Sequence, residues 1–163
     1  MTIEEAYKLV EDVLKDFPKE YRKNYEDNKQ DVIIKKENTV INKHFGKYNH
    51  DENIITIYNE ESLPYELFHM AFRDRNRLNQ ELFNDDFVYD NGVIYYDVLK
   101  EQTNGAGLNE GFAEYLSRKC CSLKGHNLEY YFVNLLIQIY GEDILKYPLN
   151  NDSFKFYIDN RFS

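Results

Sequence analysis

The chain has 163 residues, 42% of them hydrophobic, which predicts one folded domain with a substantial core. Its net charge of −9 disfavours nucleic acid and anionic membranes as partners, since both reward a basic face. No run approaches the ~18 apolar residues of a membrane span, and the 15 Tyr, 11 Phe and absent Trp predict an aromatic core with hydroxyls at its margins.

The first residues are acidic and amphipathic, with no basic stretch followed by an apolar one, so no signal peptide is expected. Residues 2–17 place Ile3, Ala6, Tyr7, Val10, Val13, Leu14 and Phe17 at helical spacing, behind a Thr2/Glu5 capping box. Pro18 interrupts the pattern. The charged stretch 19–29, with Tyr21 and Tyr25 one turn apart, predicts a second, solvated helix. Short β-branched segments at 31–36 and 38–42 and a clearer one at 53–58 predict strands. His44, Gly46, Asn49, His50 and Asp51 read as the loop between them, with His44 and His50 as surface histidines.

A helix is expected over about 62–77, with Ser62 as N-cap and Pro64 in its first turn. Leu67, Phe68, Met70, Ala71 and Phe72 make it apolar nearly all round, the mark of a helix buried mid-domain. Residues 78–105 read as the least regular region, apart from a hairpin signal at Asp90-Asn91-Gly92. A second helix is expected over about 107–124. A third is capped by Asn127 and stopped by Gly141, with Leu128, Tyr131, Phe132, Leu135, Leu136 and Ile139 as its apolar side. Short helices at 142–147 and 152–162 close the chain, burying Ile144, Leu145, Phe154, Tyr157 and Ile158. Cys120 and Cys121 are adjacent and have no other partner, so they read as reduced thiols packed as small hydrophobes in a cytoplasmic protein.

Two segments carry chemistry. In Tyr65-Glu66-Leu67-Phe68-His69, positions 65 and 69 share one helix face. Two imidazoles at that spacing grip a metal, and a glutamate beside the first holds a water against it. Here the first position is a phenol, whose ordinary pKa of about 10 leaves it protonated and a poor ligand. Downstream, Asn109-Glu110-Gly111-Phe112-Ala113-Glu114 places two carboxylates one turn apart. Taken separately, His69 reads as a satisfied core histidine and the Glu110/Glu114 pair as a polar stripe.

Together, and in this order, the two segments resemble the signature helices of the gluzincins, the thermolysin-like class of zinc metallopeptidases, at the size of a minigluzincin. The resemblance covers roughly residues 50–145. It implies a zincin-like α+β fold over a single domain 1–163, mainly helical with a small, mostly antiparallel sheet. It also implies that strand 53–58 is the edge that holds an extended peptide. His69 and Glu110 match metal ligands, Glu66 the general base, and Glu114 the acid that orients the first ligand. Tyr65 stands where that ligand, a histidine, belongs, and its phenol is expected to bond Glu114. With only two of three ligands, little zinc is expected. The implied function is a proteolytically inactive homologue that keeps a cleft for a peptide or protein segment. The alternatives are an active zinc endopeptidase with an unforeseen ligand, or an interaction domain whose motifs are coincidental.

Overall fold

The computed structural model describes residues 1–38, 45–75, 82–84 and 87–150. Helix α1 spans Ile3–Leu14. Its capping box forms: the Glu5 amide donates to Thr2 Oγ1 at 3.1 Å, and the Thr2 amide to Glu5 Oε2 at 2.7 Å. Ala6, Val10, Val13 and Leu14 are buried along one stripe. A 3-10 turn at Lys19–Arg22 then leads into α2, Lys23–Lys29.

Helix α2 is solvated on one side only, contrary to the expectation of a fully solvated piece. Asn24, Tyr25 and Asn28 are buried, because the two amides have main-chain partners inside. Asn28 Nδ2 donates to the carbonyls of Met70 at 3.0 Å and Arg73 at 2.8 Å, and Asn24 Nδ2 to that of Leu149 at 3.2 Å.

The first sheet contains β1 (Ile33–Lys36), β2 (Gly46–Asn49) and β3 (Ile54–Ile57), in the order β1-β3-β2. β1 runs parallel to β3, pairing Ile33 with Ile54, and β2 runs antiparallel, pairing Gly46 with Ile57. The predicted loop 46–49 is thus a strand, paired along its length with β3. The strand expected as the edge is instead central: β3 alternates, with Ile55 and Ile57 buried against the helices. The segment 39–42 and His44 lie outside the described residues.

Helix α3, Leu63–Ala71, follows β3 through a 3-10 turn at Glu60–Ser62. Ser62 occupies the N-cap position but does not cap. Its hydroxyl donates toward the carbonyls of Phe45 (2.7 Å) and Asn59 (2.6 Å), tying β2 to the helix entry, while the Asn59 side chain caps the turn by accepting from the Glu61 amide. The all-round burial expected of α3 is present: Leu67, Phe68, Met70 and Ala71 are fully covered. α3 packs on α1, α2, β2 and β3, and on α4 described below. It is shorter than expected. Phe72 is its C-cap, and Asn28 Nδ2 donates to the carbonyl of Met70 in the last turn and of Arg73 just past it. Residues 76–77 of the expected helix lie outside the described residues.

The region read as least regular forms a second sheet, a four-stranded antiparallel meander. Its strands are β4 (Leu82–Asn84), β5 (Phe87–Asn91), β6 (Ile94–Asp97) and β7 (Gln102–Asn104). The predicted hairpin joins β5 and β6. Helix α4 spans Ala106–Ser117 and α5 spans Asn127–Tyr140. α4 ends earlier than the expected 107–124, capped at Arg118. The α5 cap residue is His126, and Asn127 is its first helical residue. The two helices approach closely at Gly111, where an added Cβ would lie 2.5 Å from the Glu129 carbonyl oxygen.

Helix α5 departs most from expectation. Val133 and Leu136 are buried, but Leu128, Tyr131, Phe132, Leu135 and Ile139 are exposed. A 3-10 turn, Glu142–Leu145, and α6, Lys146–Asn150, bury Ile144, Leu145, Tyr147 and Leu149. The expected helix 152–162 lies outside the described residues. The fold is therefore mixed α+β, with two sheets among the described residues, one of them mixed. Among the described residues, no helix is long and apolar enough to cross a membrane.

Candidate functional site

Each functional side chain is aimed by the element that carries it. α3 turns Tyr65 and His69 to the same side, one helical turn apart. α4 turns Asn109 and Glu110 toward them. The segment after α4 brings back His126. Tyr65, His69 and His126 meet at one atom, Glu110 Oε2. The Tyr65 hydroxyl donates to it in a short hydrogen bond, and His69 Nε2 and His126 Nε2 each lie 3.4 Å from it. The Tyr65 ring sits edge-on to His69, centroids 4.8 Å apart, and stacks on His126 at 5.6 Å and 9°. So the structure brings together Tyr65, His69 and Glu110, which the sequence singled out, and adds His126, read from sequence only as a helix-terminus residue.

The tautomer of His69 follows from its neighbours. Asn109 Oδ1 accepts the Val93 amide at 3.2 Å, which orients the side-chain amide. Its Nδ2–H group then faces His69 Nδ1 at 3.4 Å. A donor facing Nδ1 makes Nδ1 the acceptor, so in the neutral ring the proton sits on Nε2 and points to Glu110. A metal-binding histidine has the opposite arrangement: one nitrogen donates to a neighbour and the other presents its lone pair.

The charges of the cluster shift the titration of each member. Burial alone would raise the Glu110 pKa, but hydrogen bonds from His69 and Tyr65 and the charge of His126 outweigh it and bring it to about 2. Burial would depress His69, yet its hydrogen bond to Glu110 and the nearby carboxylates raise it. The Tyr65 phenol is driven far above its ordinary value, first by burial and then by Glu110. It stays protonated and acts as a donor. Glu66 is buried, and burial is the main reason its pKa rises to about 7; the charge of His69 and the Tyr48 amide partly oppose the rise. A carboxyl poised there suits general-base work.

Glu114 does not receive the Tyr65 phenol, which goes to Glu110. Its Oε1 accepts from Arg118 Nε at 2.7 Å, and its carboxylate accepts from the Gly125 amide at 3.2 Å and the His126 amide at 3.3 Å. Arg118 continues to Asn127 Oδ1 at 2.6 Å and lies over the Tyr130 ring at 3.7 Å. Glu114 thus fixes the main chain that delivers His126. No local pattern announces this, because the pair is linked only by the path of an irregular segment.

A cleft of about 240 Å³ lies beside this cluster, between β2 and the helices. Gly46, Tyr65, Glu66, Glu114, Gly125 and His126 are among the residues that line it; His69 and Glu110 are not. Gly46 is required here, since an added Cβ would fall 2.8 Å from Glu66 Oε1. His50 Nε2 sits 3.5 Å from Asp51 Oδ1, and neither His50 nor the cysteines line the cleft.

In this arrangement the Tyr65 hydroxyl and the proton on His69 Nε2 are both directed at Glu110 Oε2. Among the described residues, no three His, Cys, Asp or Glu side chains are arranged to hold a metal. Comparisons with family models, curated proteins and solved structures returned no match.

Proposed function

We propose that this chain is a degenerate gluzincin-like metallopeptidase homologue. In it a hydrogen-bonded cluster replaces the metal centre, and the cleft beside β2 binds a peptide segment without cleaving it. One observation carries the reading. The carboxylate matching the third metal ligand, Glu110, accepts a phenol from the position matching the first. The order of Glu66 and His69 on one helix and Glu110 on the next supports the ancestry, as does their convergence. For the cleft, β2 is an edge strand among the described residues and Gly46 lines the cleft, the geometry by which an extended peptide adds to a sheet.

Metal analysis tests this. Protein loaded with excess zinc and desalted should retain well under one zinc per chain, and show no peptidase activity. Tyr65→His should raise zinc affinity, and adding Asn109→Asp should raise it further. An aspartate at 109 still accepts the Val93 amide but accepts a hydrogen bond from His69 Nδ1, which moves the ring proton there and leaves the Nε2 lone pair free. Near one zinc per chain in the wild type would sink the proposal. It would favour the second reading, an active zinc peptidase completed by an unforeseen ligand. The candidate would be His126, whose Nε2 is as close to Glu110 as that of His69.

A further inference from the structure

The outward face of α5 calls for an occupant. Leu128, Tyr131, Phe132, Leu135 and Ile139 are 52–80% exposed and contiguous. They are not the helix's inner stripe: Val133 and Leu136, on an adjacent side, already fill the contact with α4. From Leu128 to Phe132, Leu135 and Ile139 the steps are four, three and four residues, the alternation of a helix-pairing seam. The only charged side chain in α5 is Glu129, whose backbone packs against Gly111 on α4 and not on this seam.

We infer that this face is the dimer interface of the chain: α5 packs against α5 of a second copy across a two-fold axis. Three considerations favour a second copy over other occupants. The exposed parts of the five side chains amount to on the order of 600 Å², so a symmetric pair removes about 1,200 Å², the lower bound of specific interfaces. A charge-free ridge is complementary to itself and imposes no desolvation of ions, so the net charge of −9 is no obstacle at the contact. The same lack of charge gives a strongly acidic or basic partner nothing to recognise, and an anionic membrane would want a basic rim. Antiparallel pairing also sets the two helix dipoles in opposition. The inference is independent of the peptidase ancestry.

Sedimentation of the full chain tests it. At about 100 µM the wild type should run at twice its 19.6 kDa mass. Leu135→Glu/Ile139→Glu should run at the single mass, with unchanged far-UV circular dichroism and thermal melting. Both positions are more than half exposed, so the chain can accept them without repacking. A wild type that stays at the single mass overturns the inference, whether the face is then covered by residues 151–163 of the same chain or by another protein. A double variant that remains dimeric also overturns it, because the contact then lies elsewhere.

Discussion

Helices α3 and α5 are both rich in large apolar residues, yet their surroundings are opposite. α3 is enclosed by α1, α2, α4 and two strands, so that even Glu66 and His69 are buried. α5 touches α4 along one stripe and leaves a second apolar stripe bare. Apolar content therefore measures how much a helix has to cover, not whether its own chain does the covering. The polar groups differ in the same way. On α3 Tyr65 and His69 are bound into a network, whereas the bare stripe of α5 carries no charged group.

This contrast can be broken or sharpened by experiment. The largest effect should come from truncating the enclosed helix. Leu67→Ala or Phe68→Ala should destabilise the fold by about 3–5 kcal/mol in denaturant unfolding. Leu135→Ala, measured at dilutions where only monomer is present, should stay within about 0.5 kcal/mol. Similar losses at both sites would mean that the α5 face is covered after all.

A smaller effect is expected where α2 ties down α3. Asn28→Ala removes two donors from main-chain carbonyls at 3.0 and 2.8 Å and should cost about 1–3 kcal/mol. Gln138→Ala, on the exposed side of α5, should again be near neutral. If the Asn28 variant unfolds like wild type, the amide is not what ties α2 to α3.

The third effect depends on pH. Glu66 is raised in the fold from 4.5 to about 7, so its contribution to stability is complete below pH 4.5 and is lost as pH rises through about 7. Glu110 is lowered from 4.5 to about 2, so its contribution is present above pH 4.5 and is lost as pH falls through about 2. Unfolding free energy should therefore decline by roughly 1–3 kcal/mol between pH 4.5 and 7 on account of Glu66. Glu66→Gln should flatten that decline, while Leu135→Glu/Ile139→Glu, far from the titrating cluster, should retain it. Parallel profiles for wild type and Glu66→Gln would remove burial as the cause of the shift.

Much of the local structure was legible because its cause is local. The Thr2/Glu5 box closes within one turn, β3 alternates within four residues, and the turn at Gly92 joins neighbouring strands. The face shared by Tyr65 and His69 is a property of one helix. β2 was missed because Gly46-Lys47-Tyr48-Asn49 carries little strand signal of its own and is held by pairing with β3. Ser62 was misjudged because its hydroxyl finds the Phe45 carbonyl just before β2. The second sheet is built from strands of three to five residues, too short to show a period.

The sequence by itself determined where the helices α1 to α5 lie, that α3 must be buried, and which residue types carry the chemistry. These follow from spacing and side-chain chemistry along a few turns of chain. Only the tertiary structure decided that the Tyr65 phenol goes to Glu110 and not Glu114. The same holds for the Asn109 donor at His69, the arrival of His126, and the apolar stripe of α5 that faces outward. Each of these depends on which partner reaches a group first in three dimensions, and residues far apart in the chain leave no periodic trace of that meeting.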